Sequence, residues 1–182
     1  MATAQTSKPA AKKTTKAKSA STAKRKTAKA QDAITFLEAQ HREVEGWFAQ
    51  FEKTESDAKK LDLFNKINLA LKAHTQVEEE IFYPEARRAI NDEDLLDEAV
   101  VEHQAAKQLM AEIEAMKPGE DLYDAKVKVL GEEIEHHVGE EEDELFPKCR
   151  KSDMDLVALG EQMKARFAEL SAELSARAPK AN

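Results

Sequence analysis

Apolar residues recur every three or four positions along most of the chain, and no segment shows the period of two that is typical of strands. Such steps predict amphipathic helices that pack nearly antiparallel to one another. The first stripe comprises Ile34, Leu37, His41, Val44, Phe48 and Phe51. Five helices are predicted, at about residues 32–53, 57–90, 93–116, 122–147 and from 152 onward.

The short connections between these helices predict an all-α fold, an up-down-up-down four-helix bundle with an additional C-terminal helix. The additional helix would cover an outer face of the bundle or form an oligomer contact. Pro84 and Pro147 are expected to kink or end their helices, because proline lacks an N–H and its ring clashes with the preceding turn. The expected domains are a basic tail at 1–30, the bundle at 31–150, and a C-terminal amphipathic helix and tail at 151–182.

Charge divides the chain sharply near residue 30. Residues 1–30 carry nine basic side chains and no acidic one, whereas the whole chain has a net charge of −8, so residues 31–182 carry −17. The tail consists mainly of Ala, Lys, Thr and Ser and is expected to be disordered, because it has too little apolar surface to offset its ordering entropy. It could make weak non-specific contact with nucleic acid or fold back on the acidic domain. The single Cys149 and the lack of an apolar segment long enough for a membrane span favour a cytoplasmic protein.

The helical part of the chain contains an internal repeat. The segment "DAITFLEAQH" (32–41) aligns with "DLLDEAVVEH" (94–103), and "HTQVEEEIFYP" (74–84) aligns with "HVGEEEDELFP" (137–147), at offsets of 62 and 63 residues. One helix pair has therefore been duplicated, which predicts a rough internal twofold axis.

Polar residues interrupt the inward stripes at equivalent positions of the two halves. They are His41, His74, Glu78, His103, His137 and Glu141. A lone core histidine is more often structural, but buried carboxylates are costly unless they are paired or bound to metal. Residues four apart share a helix face, so the glutamate of each His-x-x-x-Glu motif can reach the same point as its histidine. The stripes therefore predict a metal site.

Imidazole and carboxylate ligands without thiolate suit iron, manganese or zinc, and two carboxylates can bridge two ions about 3–4 Å apart. The predicted arrangement pairs His41 with His74 on one ion and His103 with His137 on the other, with Glu78 and Glu141 bridging. Each ion would keep open positions for water, hydroxide or an oxygen ligand.

The ordered pattern H…HxxxE…H…HxxxE, followed by "EEEIFYP" and "EEEDELFP", resembles the hemerythrin-like, HHE cation-binding family over about residues 32–150. The resemblance implies a four-helix bundle around a non-haem di-iron centre that binds dioxygen or reacts with oxygen species. Its cofactor would be two iron ions.

The pattern also departs from that family. Oxygen-carrying hemerythrins have a further histidine one turn after the third-helix ligand, where this chain has Lys107, so reversible oxygen storage does not follow from the resemblance. Glu45, four residues after His41, is a candidate to compensate, and the alternative is a solvated flank. His136 is interpreted as a surface or outer histidine. The remaining glutamates of the runs at 78–80 and 140–142 are interpreted as solvated faces.

Three functions fit these observations. The first is a di-iron protein that binds or senses dioxygen, peroxide, nitric oxide or iron. The second is a di-iron enzyme that decomposes peroxide, as a catalase does, in defence against oxidative stress. The third is a bundle in which metal serves mainly to hold the helices together.

Overall fold

The computed structural model describes residues 1–4 and 31–177, and within them the chain is entirely helical. Seven α-helices and two π-helical turns follow one another along the chain. The α-helices are α1 (Ala33–Phe51), α2 (Asp57–Val77), α3 (Tyr83–Ala89), α4 (Glu93–Glu114), α5 (Tyr123–Glu140), α6 (Phe146–Lys151) and α7 (Leu156–Arg177). The π-helical turns are Glu78–Phe82, between α2 and α3, and Glu141–Leu145, between α5 and α6.

The helices assemble as the apolar stripes predict. The four bundle helices are α1, α2 with α3, α4, and α5 with α6, and α7 packs outside the bundle against α1 and α2. The predicted all-α bundle with an additional C-terminal helix is therefore confirmed, and the additional helix covers an outer face. Asp32 caps α1 as its polar side chain predicts, accepting a hydrogen bond from the Thr35 N–H at 2.9 Å.

The chain remains helical through both prolines, so of the two expected outcomes, a kink or a helix end, the helix end does not occur. In the first half, the N–H of Tyr83 donates to the carbonyl of Glu78, five residues back, and Phe146 donates to Glu141 in the same way. The wider π-helical turn removes the regular i to i−4 pattern just before each proline, where a missing N–H and a bulky ring would disrupt it. Each π-helical turn begins at a glutamate of a His-x-x-x-Glu motif.

Two apolar clusters fill the bundle, and a polar layer separates them. The first cluster includes Ile34, Leu37, Phe82, Leu96 and Phe146. The second includes Phe51, Phe64, Ile67, Met110 and Leu130. Along α1, Leu37 belongs to the first cluster and Val44 to the second, with buried His41 between them. The predicted polar residues therefore lie in the middle of the core, away from its solvated ends.

The N-terminal tail and the absence of a membrane span are also predicted from the sequence. The predicted disordered tail lies almost wholly outside the described residues, since only residues 1–4 of it are included. Among the helices of the described part, none has the length and apolar character needed to cross a membrane.

Gly160 lets α7 approach the start of α1 closely. A Cβ atom at this position would lie 2.6 Å from the carbonyl oxygen of Gln31 and 2.8 Å from the backbone nitrogen of Ala33. These neighbours are backbone atoms, so they cannot move aside as a flexible side chain could.

We expect Gly160→Ala to lower the free energy of unfolding by about 1–3 kcal/mol, because α7 must shift away from α1. Gly46→Ala is the matched control, since a Cβ in that part of α1 meets nothing within 4 Å. The control should gain about 0.5–1 kcal/mol from higher helix propensity. Urea unfolding followed by circular dichroism measures both, and equal stability of the two variants would contradict the close contact.

Candidate metal centre

The bundle brings together all six polar residues that the stripes single out, and each is at most 5% exposed. The four histidines form two pairs. The Nε2 atoms of His41 and His74 lie 3.2 Å apart, and those of His103 and His137 lie 3.0 Å apart. The pairs are the ones predicted from the repeat, one from each half of the chain.

The two glutamates lie between the histidine pairs. The Oε1 atom of Glu78 is 3.2 Å from Nε2 of His74, and its Oε2 atom is 3.4 Å from Nε2 of His103. Each oxygen of this carboxylate therefore faces a different pair, as a bridging ligand would require.

Glu141 occupies the equivalent position in the second half. Its Oε2 atom is 3.4 Å from Nε2 of His41 and 3.8 Å from Nε2 of His137. Each glutamate thus contacts a histidine of its own half and one of the other half. Among the six residues, two groups have atoms within mutual reach of a single ion: His41, His74, Glu78 and Glu141 form one, and Glu78, His103 and His137 form the other. A third group in the described part of the chain, Glu102, His136 and Glu140, is partly exposed.

The outward nitrogen of every histidine is also held. In α1 and α4, the residue that precedes a histidine binds the other histidine of the same half: Gln40 Oε1 is 2.7 Å from Nδ1 of His74, and Glu102 Oε2 is 2.7 Å from Nδ1 of His137. A hydrogen bond donated by Nδ1–H leaves Nε2 free as a lone-pair donor pointing into the centre.

The glutamate that follows Glu78 or Glu141 holds a histidine of the opposite half. Glu142 Oε1 is 2.9 Å from Nδ1 of His41, and Glu79 Oε1 is 2.9 Å from Nδ1 of His103. The interpretation of these glutamates as solvated faces is wrong. A signal was available in the sequence, because both follow the motif glutamate directly and at the same offset as the repeat.

Three further residues from the sequence analysis lie around the centre without joining it. Lys107 Nζ is 2.5 Å from Oε1 of Glu79, so it supports the partner of His103. Glu45 pairs with Arg42 at 2.8 Å and is two-thirds exposed, as a solvated flank would be. His136 is exposed, and its Nε2 atom lies 3.3 Å from Glu140 and 3.5 Å from Oε1 of Glu102, the carboxylate that also holds His137.

Tyr83 is a buried neighbour of the centre that the sequence analysis did not single out. Its hydroxyl donates to Oε1 of Glu141 at 3.0 Å and lies 3.3 Å from Nε2 of His103. The equivalent residue of the other half is Phe146, whose ring stacks on His41 with centroids 5.9 Å apart. The repeat therefore places a hydroxyl on one side of the centre and a bare ring on the other.

The electrostatics of the centre favour a bound cation. Both oxygens of Glu78 and the Oε2 atom of Glu141 are buried and accept no hydrogen bond from any described residue. Burial and the charge of Glu141 raise the pKa of Glu78 to about 8, while burial and the neighbouring His41 lower the pKa of His74 to about 3. Burial alone would lower the pKa of His41 and of His137, but hydrogen bonds and the charges of neighbouring glutamates outweigh it, so the pKa of His41 is raised and that of His137 is raised to about 9. Imidazole and carboxylate bind a metal ion in their deprotonated forms, so the residues present fit a cation site whose loading would release protons.

A small cavity of about 10 Å³ adjoins three of the histidines, which is room for about one water molecule. Its lining comprises Gln40, His41, Val44, Leu71, His74, Thr75, Ile134, His137 and Val138. A larger groove of about 630 Å³ runs between α1 and α5 on the outside of the bundle. His41, Ile134 and Val138 line both spaces, so the groove leads from solvent to the wall of the cavity.

Comparison with known proteins finds one curated sequence relative and one solved structure of the same fold. A curated protein from Nostoc sp. (strain PCC 7120), named DNA nickase, is 29% identical over 112 residues, which are 62% of this chain and 32% of the relative. The chain thus spans about a third of the length of the curated relative that it matches. A crystal structure of a hemerythrin HHE cation binding domain-containing protein from Mycobacterium kansasii superposes with a TM-score of 0.69, at 21% identity, over 80% of this chain and 91% of that chain. At that identity the likeness is one of fold.

The family model described as "Hemerythrin HHE cation binding domain" matches residues 32–149, which contain every helix that contributes a residue to the centre. The match covers well over half of the chain, and the buried histidine and glutamate cluster gives the cation-binding description a physical basis. The protein therefore belongs to the hemerythrin HHE cation binding domain family.

Proposed function

We propose that this protein holds two iron ions and binds or senses a small ligand: dioxygen, peroxide or nitric oxide. The observation that carries the proposal is the position of Glu78, whose two buried oxygens lack hydrogen-bond donors and face different histidine pairs. His41 and His74 would hold one ion, His103 and His137 the other, with Glu78 and Glu141 shared. When bound, the ions would supply open coordination positions and one-electron redox chemistry.

The donor set supports iron. The cluster offers imidazole and carboxylate and no thiolate, because Cys149 lies in the first apolar cluster. Glu102, Glu79 and Glu142 each accept a hydrogen bond from a histidine, which makes the imidazole a stronger electron donor and suits an ion that must reach a higher oxidation state.

The chain's own residues would also set the size of the ligand. The cavity beside His41, His74 and His137 has room for about one water molecule, and most of its remaining wall is aliphatic. Access would run along the groove between α1 and α5. Such a site admits diatomic ligands or hydroxide and excludes organic substrates, which argues for binding or sensing of small molecules.

A second function, decomposition of peroxide, is supported by Tyr83. The Tyr83 hydroxyl donates a hydrogen bond to Glu141 and lies next to Nε2 of His103. It could therefore transfer a proton to or from this carboxylate, as acid–base catalysis on peroxide requires. Phe146, its counterpart, offers no such proton.

The DNA-nicking activity in the name of the Nostoc relative is not proposed for this chain. Residues 31–182 carry a net charge of −17, which opposes binding to a phosphate backbone. Contact with nucleic acid through the basic tail stays a prediction, and so does the cytoplasmic location.

Metal analysis tests the centre directly. Protein purified from iron-supplied cells should contain about two irons per chain. His74→Ala should lose most of that iron, because it removes a ligand and leaves Glu78 without its nearest partner. His136→Ala is the control, since this histidine is exposed and touches the centre only through the outer oxygen of Glu102, so its loss should leave most of the iron bound. A folded protein that takes up no iron, or equal iron loss in both variants, would contradict the assignment.

Obstructing the groove should slow access to the centre without changing metal content. Gly139 lines the groove, and a Cβ there meets nothing within 4 Å, so Gly139→Leu adds a side chain to the groove without a backbone clash. Gly46→Leu is the matched control, because Gly46 also has free space but does not line the groove. Stopped-flow mixing of the iron(II) protein with nitric oxide should show slower association for Gly139→Leu alone. Identical rates in the two variants would rule out this route.

The peroxide function makes a separate prediction. Iron-loaded protein should release oxygen from hydrogen peroxide over many turnovers, and Tyr83→Phe should lower kcat by about 10²-fold while retaining its iron. An oxygen electrode measures the rate, and metal analysis confirms loading. Absence of turnover in the loaded wild type would leave ligand binding as the function, and an unchanged kcat in Tyr83→Phe would remove the proposed role of the hydroxyl.

A further inference from the structure

The small cavity lies where the two halves of the repeat face each other. Leu71 of α2 is the counterpart of Ile134 of α5, and the two ligand histidines His74 and His137 are counterparts as well. The next pair is Thr75 and Val138, which also line the cavity. Thr75 thus places a hydroxyl on one wall of the cavity, whereas the equivalent position of the opposite wall, Val138, offers only methyl groups.

This hydroxyl is buried and lacks a partner. Thr75 is 1% exposed, and its Oγ1 atom makes no hydrogen bond with any residue that the structure describes, the carbonyls of its own helix included. Threonine within a helix commonly bonds a carbonyl three or four residues back, so an unpaired hydroxyl is unusual. Leaving it so has a free-energy cost that valine, which has nearly the same shape, would avoid.

The surroundings identify what could pair with it. Thr75 directly follows His74 in the chain, and it shares the cavity with His41, His74 and His137. The space holds about one water molecule, so the partner must be a water or an atom of a small ligand. The cations that satisfy Glu78 and Glu141 do not explain this group, because a neutral hydroxyl prefers a hydrogen-bond acceptor.

We propose that the Thr75 hydroxyl donates a hydrogen bond to the small ligand held in this cavity and thereby selects for a ligand with an accepting oxygen or nitrogen atom. This inference rests on the proposed function, because it presumes a ligand beside the histidines. The opposite wall, with Val138 at the equivalent position, would contact the same ligand only through methyl groups. The ligand would therefore bind in one orientation, with its accepting atom toward α2.

The test uses Thr75→Val, which removes the hydroxyl and makes the wall symmetric, and Val138→Thr, which retains Thr75 and adds a hydroxyl opposite. Iron content is measured first, and all three proteins should match.

Nitric oxide is then added anaerobically to the iron(II) proteins, and the N–O stretching band and the release rate are recorded. Loss of the hydrogen bond should shift the band upward in Thr75→Val and speed release about fivefold. Val138→Thr should retain the release rate of the wild type or a slower one. An unchanged band and release rate in loaded Thr75→Val would overturn the proposal.

A second measurement does not depend on iron. In metal-free protein, Thr75→Val should unfold at a urea concentration no lower than the wild type, because the hydroxyl contributes no bond within the protein. Val138→Thr should unfold at a concentration close to that of the wild type, because position 138 is only half-buried and its new hydroxyl can reach water in the groove. A loss of stability in Thr75→Val would show that the hydroxyl has a structural partner and would overturn the proposal even if no iron were bound. Failure of the proposed function would be recognised separately, by the absence of iron from the wild type.

Discussion

Burying two carboxylates and four imidazoles in the middle of a helical bundle is the constraint on which the rest of the structure depends. Groups of this kind are costly in a core unless each polar atom is paired or bound to an ion. The histidines are paired outward, through Nδ1, and the inward Nε2 atoms and carboxylate oxygens face one another across a few ångströms. The two apolar clusters on either side separate this layer from the two ends of the bundle. A cation bound in the polar layer would satisfy the buried carboxylate oxygens, and the surrounding helices hold the ligand side chains in place.

The π-helical turns show how the backbone meets that constraint. Each turn begins with a buried glutamate of the centre, Glu78 or Glu141, and continues with a glutamate that holds a histidine of the opposite half. Each turn ends just before a residue that contacts the centre, Tyr83 or Phe146. A regular α-helix would rotate these side chains to other faces and would also place a proline where a hydrogen bond is needed. The prolines are thus compatible with the helix because the turn is already widened, and the widened turn also brings two successive glutamates of each half to the centre.

Much of this could be predicted from the sequence, for reasons that differ from residue to residue. His41, His74 and Glu78 lie on apolar stripes with helical spacing, so their inward direction follows from the pattern of their neighbours. Glu79 and Glu142 lie one residue away from the stripe, where a regular helix points to solvent, and only the π-helical turn and the packing of the opposite helix bring them to a histidine. Thr75 is likewise inconspicuous in the sequence, because an unpaired hydroxyl is defined by what surrounds it. The basic tail has no packing partners that a pattern could reveal, and it lies mostly outside the described residues.

The reciprocal contacts between the halves carry a consequence for how such a chain can be built. Glu79 of the first half supports His103 of the second, and Glu142 of the second supports His41 of the first. Glu78 and Glu141 each face one histidine of either half. One helix pair on its own would lack half of these partners, so it could not form half of the centre. Two copies of a single helix pair, related by the same twofold, would supply each other with every one of them. The duplicated chain therefore corresponds to a dimer of helix pairs whose two subunits are covalently linked. Because the halves are separate parts of one sequence, they can differ at Thr75 and Val138 and at Tyr83 and Phe146, whereas two identical subunits could not.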